Sequence, residues 1–293
     1  MVRPVDSSSM RRTPSAVPSS ADGDFLFRHV RDLPYFRGLL RAVESRFYQD
    51  LPLKEPVYDL GCGDGHFAAI TFSSRIAVGL DPWAGPIREA GKRDAYQGLV
   101  QADAAHTPFP ERHFDSGFSN SVLEHIPRVQ DVLDETARIL KPGALFAFCV
   151  PNENFTQMLS VGRGLDRVGL KGLGAAYRRF FNRISRHAHC DPPGVWATRL
   201  RIAGFEVERH WDYFSPAALA ALEWGHYFGL PAAICKALFG RWILAPWLFN
   251  LWLTLALIRR HYNEPVPQDQ GAYTFYVTRR TAAGARSQHG KNP

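Results

Sequence analysis

The chain has 293 residues, 45% of them hydrophobic and 22% charged, which places it among globular proteins with room for one large domain or two small ones. Its net charge of +7 is concentrated: Arg163, Arg167, Lys171, Arg178, Arg179, Arg183 and Arg186 stand against a single acid, Asp166, and such a block suits an anionic partner such as a membrane surface, a phosphorylated substrate or nucleic acid. The cysteines, Cys62, Cys149, Cys190 and Cys235, lie far apart with no C-x-x-C pair, and Cys62 in a glycine turn and Cys149 in a predicted strand are not placed for a disulfide, which fits a reducing compartment.

Residues 1–22 are rich in Ser, Pro and Arg and lack an apolar h-region, so a disordered tail is expected there rather than a secretory signal. The stretch 281–293 reads the same way. Between them, 23–280 is expected to form one domain. Phe25, Phe27, Val30 and Leu33, then Leu39, Leu40, Val43 and Phe47, predict one or two amphipathic helices over 24–50, broken at Pro34. Val57–Leu60 is a short apolar strand that empties into Gly61, Gly63 and Gly65. A second strand is predicted over Arg75–Leu80, a helix over Ile87–Tyr96, a third strand over Gly98–Ala102 and a fourth over Phe114–Phe118. Gln130–Leu140 predicts a helix closed by Lys141-Pro142-Gly143, followed by a fifth strand over Ala144–Val150. A sixth strand is read at Phe205–Glu208 and a last one at Tyr273–Thr278. Strands alternating with helices argue for a mostly parallel, Rossmann-like α/β sheet covered on both faces.

In such a sheet the ligand lies at the carboxyl ends of the strands, and successive predicted strands end in chemistry there. The first ends in Asp59 and the glycines, the second in Asp81, the third in Asp103-Ala104, and Asn120 follows the fourth. The glycine spacing is G-x-G-x-G, with His66 where a dinucleotide fingerprint needs a small residue. Asp59 before the glycines suits a cationic ligand better than a pyrophosphate.

These residues resemble motif I and the following motifs of class I S-adenosylmethionine-dependent methyltransferases. The string Asp103-Ala104, Pro108-Phe109-Pro110, Phe114-Asp115, Leu123-Glu124-His125-Ile126 and Leu140-Lys141-Pro142-Gly143-Ala144 is similar to the small-molecule branch called type 11. The resemblance covers about residues 55–152 and resumes more loosely over Trp196–Val207. It implies a seven-stranded sheet, S-adenosylmethionine as cofactor, and cofactor-binding roles for Asp59, Gly61, Gly63, Gly65, Asp81, Asp103, Ala104 and Asn120. Within that set Asp59, Gly61 and Gly63 would approach the methionine part, Asp81 the ribose, Asp103 and Ala104 the adenine, and Asn120 the sulfonium end. It gives His66 no catalytic role. The catalytic residue stays open among His125, His187, His189 and Tyr213. No metal is expected, because His187 and His189 before Pro192-Pro193 lack a matched second ligand pair.

Between the sixth and last strands an apolar helical insertion is expected at about 215–262. Leu230–Ile258 carries only two charges, Lys236 and Arg241, but a single crossing would strand the final strand on the wrong side of a membrane. A hairpin or an interfacial helix pair meets that constraint, and a cap over the acceptor pocket or a dimer interface are the rivals. The expectation is therefore a methyltransferase acting on a small or lipidic acceptor, cytoplasmic and peripheral on the inner face of a membrane. Two alternatives stand beside it: a non-catalytic, partner-binding protein of the same fold, and an RNA methyltransferase, for which an N-P-P-Y-like tetrad after the fourth strand is missing.

Overall fold

The computed structural model describes residues 24–282; the predicted tail 1–22 lies outside the described residues, and of the predicted tail 281–293 only Thr281 and Ala282 are described, with the Thr281 amide and hydroxyl both donating to the Gly204 carbonyl. Helix α1 (Phe25–Val30) is capped by the Asp24 side chain, and Pro34 starts α2 (Tyr35–Tyr48), so the break falls where proline demands it. The strands are β1 (Val57–Leu60), β2 (Ile76–Asp81), β3 (Tyr96–Gln101), β4 (Phe114–Asn120), β5 (Leu140–Pro151), β6 (Phe205–Tyr213) and β7 (Tyr273–Arg280). Among the described residues they form one sheet of order β3-β2-β1-β4-β5-β7-β6. Only β7 runs against its neighbours, antiparallel to both β5 and β6. Helices α3 (His66–Thr71), α4 (Ala84–Ala90) and α5 (Val129–Ile139) return the chain between the parallel strands.

Strand β5 shows why the sequence reads as an uninterrupted apolar run. Leu145, Ala147 and Cys149 join the core on one face, while Phe146, Phe148 and Val150 join the core on the other. A strand buried on both faces needs apolar residues at every position. The strand also begins earlier than expected. Lys141-Pro142-Gly143 does not close the preceding helix but lies inside β5, as a bulged excursion between the Phe114–Leu140 and Ser116–Leu145 pairs. Helix α4 starts three residues before the predicted Ile87, and β6 extends to Tyr213 because β7 pairs with its whole length.

After β5 come α6 (Asn154–Gln157), α7 (Ser160–Arg167), α8 (Lys171–Ser185) and α9 (Pro193–Ala203). The insertion between β6 and β7 is α10 (Pro216–Phe228), α11 (Leu230–Phe239) and α12 (Leu248–Tyr262). Helix α12 docks by Leu251, Leu255, Ile258 and Tyr262, a stripe at helical spacing, and Arg259 Nη2 reaches Asp24 Oδ2 at 2.7 Å. Its other face, with Trp252, Leu253 and Leu257, is exposed. Among the described residues no helix is long and apolar enough to cross a membrane.

Candidate functional site

The turn after β1 is laid over the end of β2: the amides of Gly61 and Cys62 both donate to the Leu80 carbonyl, at 2.8 and 2.9 Å. Gly61 needs its lack of a side chain twice over, since its φ is +78° and a Cβ would stand 2.5 Å from Val122 Cγ1. Around Gly63 a Cβ would meet nothing within 4 Å, so the backbone there faces open space. That space is a cavity of about 530 Å³. Asp59, Gly61, Gly63, Asp81, Asp103, Ala104 and Asn120 all line it, brought together from the ends of β1 to β4. Gly65 does not. It precedes α3 with φ +71° and packs towards α4, where a Cβ would stand 3.1 Å from Ala90 Cα.

The acids are held, not merely nearby. Asp81 accepts from the Gly63 amide at 3.1 Å and from the Trp83 amide at 2.9 Å, so the glycine turn itself fixes its carboxylate. Tyr96 Oη donates to Asp59 Oδ2 at 2.7 Å. Burial nevertheless pushes the Asp59 carboxyl up to about 7, with the neighbouring charge of Asp81 adding to it and the Tyr96 hydrogen bond opposing it. Asp103 turns its Oδ1 onto the Ala105 amide at 2.9 Å. Arg41, from α2, lies in the same wall. Three carboxylates facing one guanidinium suit a ligand with cationic groups and a carboxylate of its own.

Asn120 is in the wall, but its amide is committed: Nδ2 donates to Glu44 Oε2 at 2.7 Å. Glu44 is fully buried in α2, and it also accepts from Tyr213 Oη at 2.8 Å and from Ser121 Oγ at 3.2 Å. Burial raises its carboxyl above the usual range, while the bonds from Tyr213 and Asn120 hold it down. Sequence reading missed Glu44, Arg41 and Trp83. Glu44 had a signal, since an acid sat beside Val43 and three residues before Phe47 on an apolar stripe.

A second cavity of about 210 Å³ shares Arg41, Ser121 and His125 with the first. Phe36, Phe155, Leu222 and Tyr273 give it an apolar wall, and Glu124, His187 and His226 a polar one. The four catalytic candidates separate here. His125, on a short 3-10 turn (Leu123–His125), borders both cavities, and His187 borders the second. Burial lowers the His187 imidazole to about 3, and partial loss of solvent lowers that of exposed His125, so both favour the neutral form at physiological pH. His189 belongs to neither wall: it contacts the Ile126 carbonyl at 3.1 Å and Asp191 at 3.2 Å. Tyr213 is buried with its hydroxyl on Glu44. His66, given no role, is buried against Asp32, with 3.3 Å between Nε2 and Oδ2.

Residues 58–148 match the family model described as a methyltransferase domain. The chain is similar to a 2-phytyl-1,4-naphtoquinone methyltransferase of Synechococcus elongatus, 31% identical over 53% of this chain and 73% of that protein. It is also similar to a fatty-acid O-methyltransferase of Mycolicibacterium smegmatis, 35% identical over 31% of this chain, a match spanning only 35% of that protein's length. In three dimensions it is similar to phosphoethanolamine N-methyltransferase 2 of Haemonchus contortus, solved in complex with S-adenosyl-L-methionine. The TM-score is 0.50 at 15% identity, covering 85% of this chain and 54% of that one, a likeness of fold.

Proposed function

Because the chain belongs to the S-adenosylmethionine-dependent methyltransferases of the small-molecule branch, we propose that it methylates a lipidic acceptor at a membrane surface. The cofactor, when bound, supplies a methyl carbon already activated by a sulfonium, so the protein's work is alignment and exclusion of water. Asp59, Gly61 and Gly63 would hold its methionine part, with Arg41 opposite the carboxylate. Asp81 would take the ribose hydroxyls, and Asp103 with Ala104 the adenine. Asn120, locked by Glu44, would border the sulfonium end as a fixed wall. The acceptor would occupy the second cavity, with the neutral imidazoles of His125 and His187 facing its polar group.

One observation carries the lipid reading. Beside that cavity, α10 to α12 turn large apolar side chains to solvent: Trp224, Phe228, Ile234, Leu238, Phe239, Trp247, Leu248, Phe249, Trp252, Leu253 and Leu257. Soluble proteins rarely leave so many large apolar side chains uncovered on successive helices unless they meet a partner or a bilayer. Helix α8 repeats the pattern, with exposed Leu173, Phe180 and Ile184 at helical spacing among Lys171, Arg179 and Arg183. Apolar anchors ringed by cations suit an anionic lipid surface. Relatives named for a phytyl quinone and for fatty acids support an acceptor of this kind. On this reading residues 23–280 are one domain with α10 to α12 as its insertion, peripheral on the cytoplasmic face of a membrane.

The test is flotation of the full chain with phosphatidylglycerol-containing vesicles, together with transfer of labelled methyl from S-adenosylmethionine into the solvent-extractable fraction of a lipid extract. Wild type should float and label lipid. The double substitution Trp252→Glu, Leu253→Glu should sediment free of vesicles while binding the cofactor unchanged. Wild type that neither floats nor labels extractable material would refute the proposal.

A further inference from the structure

The loop Arg186–Cys190 is pinned onto the turn that carries Glu124 and His125. The amides of Ala188 and His189 both donate to the Glu124 carbonyl, at 2.7 and 3.1 Å. This brings His187 against His125, ring centroids 5.4 Å apart, over the Glu124 carboxyl. His125 Nε2 lies 3.7 Å from Glu124 Oε1. One donor atom from each of Glu124, His125 and His187 lies within 4.8 Å of the other two, and all three residues line the second cavity.

Two further observations distinguish this cluster from a packed polar corner. The Glu124 side chain is only 2% exposed, yet its Oε2 has no hydrogen-bond partner. A buried carboxyl oxygen left unpaired is costly, and on a residue that lines a cavity it calls for a ligand. The second concerns tautomers. His125 Nδ1 stands 3.0 Å from the Arg186 carbonyl, which can only accept, so Nδ1 carries the proton and Nε2 offers its lone pair towards Glu124. A backbone carbonyl behind one imidazole nitrogen, orienting the other, is the outer-shell arrangement of metal-ligating histidines.

We propose that Glu124, His125 and His187 bind one divalent transition-metal ion of the zinc class in the wall of the acceptor cavity. Two imidazoles and a carboxylate give three protein ligands and leave a position open, the composition of a catalytic rather than a structural site. Donor atoms at about 2.0–2.2 Å from a tetrahedral ion stand roughly 3.3–3.6 Å apart, so the cluster must contract by about 1 Å. With the loop pinned, that movement falls to side-chain rotation of exposed His125 and half-buried His187. The metal's role rests on the methyltransferase reading: an acceptor hydroxyl oxygen takes the open position, its O–H bond breaks, and the proton passes to water. The oxygen keeps the electron pair as a nucleophile at neutral pH. This favours an oxygen acceptor over carbon or nitrogen.

The experiment uses the full chain and the metal alone. After equilibration with zinc and dialysis, wild type should retain one equivalent per chain, and cobalt(II) in its place should give the visible bands of a low-coordinate nitrogen–oxygen site. Glu124→Gln and His187→Ala should each weaken zinc binding about a hundredfold. Titration with S-adenosylmethionine on the same samples should be unchanged for His187→Ala, which reports folding; if Glu124→Gln does not fold, His187→Ala decides. Wild type retaining no zinc, or variants retaining as much as wild type, would overturn the site. Zinc retained without any binding of S-adenosylmethionine would instead count against the methyltransferase reading alone.

Discussion

Asp59→Asn should make the cofactor-free protein more stable at neutral pH and less able to bind its cofactor. In the folded protein the carboxyl is raised from an ordinary 3.8 to about 7, first by burial and then by Asp81. A raised acid favours the fold only while protonated. Its contribution is fully present below about 4, is lost as pH rises through about 7, and is constant above that. At about 1.36 kcal/mol per pH unit, the interval corresponds to up to about 4 kcal/mol. Asparagine is neutral throughout and keeps an oxygen for the Tyr96 hydroxyl. Urea unfolding of both proteins without cofactor should therefore give similar stabilities near about pH 4.5 and a gap that opens to a few kcal/mol by about pH 8, the variant being the more stable. A cationic ligand reverses the preference, because it needs Asp59 ionised. Wild-type affinity for S-adenosylmethionine should rise with pH up to about 7, while that of the variant stays flat and at least about tenfold weaker, the cost of a lost charge-assisted hydrogen bond. Parallel stability curves for the two proteins across that range, or a variant that is less stable throughout, would refute the assignment of strain to this carboxylate.

Gly61→Ala faces a left-handed φ of +78° and a Cβ 2.5 Å from Val122, so it should cost about 2–4 kcal/mol and abolish measurable cofactor binding, read by thermal unfolding and calorimetry. Tyr213→Phe removes one donor from the fully buried Glu44 and should cost about 1–3 kcal/mol in urea unfolding. The pH–rate profile of that variant should keep its shape, since a supporting hydroxyl does not set it; loss of one limb would make Tyr213 the proton-transfer group instead.

How much of this was legible in the sequence follows from where each residue's partners lie. The wall of the first cavity could be read because its acids sit at strand ends, and an open parallel sheet brings the ends of β1 to β4 to one edge whatever the side chains do. Gly65 belonged to the same spacing pattern but faces Ala90 and Tyr96 rather than the cavity, because spacing marks a turn and not the direction each residue faces. The acceptor side has no such geometric rule. His187 reaches His125 only because loop amides meet the carbonyl of Glu124, and Tyr213 points at Glu44 across 169 positions of chain. Such contacts are made by tertiary packing and leave no local periodicity.

The buried acids show what the pattern could still have given. Glu44, Glu124 and Glu223 are all buried, and the first two form the supports of the two cavities. Glu44 lies on the apolar stripe of α2, and Glu124 directly follows buried Leu123. An acid at a position where periodicity demands a hydrocarbon must find partners or be expensive. Glu44 and Glu223 find theirs: Glu44 in Tyr213, Asn120 and Ser121, and Glu223 in Ser160 and Tyr177. Glu124 leaves an oxygen over, and that difference singles out its corner of the acceptor cavity. Loss of solvent raises that carboxyl and lowers the two imidazoles beside it, fully for buried Glu124 and in part for His187 and exposed His125. A neutral imidazole pair and a carboxyl with an unpaired oxygen are an incomplete set, and on the proposed function the exposed apolar side chains of α10 to α12 would bring to it an acceptor poor in charge.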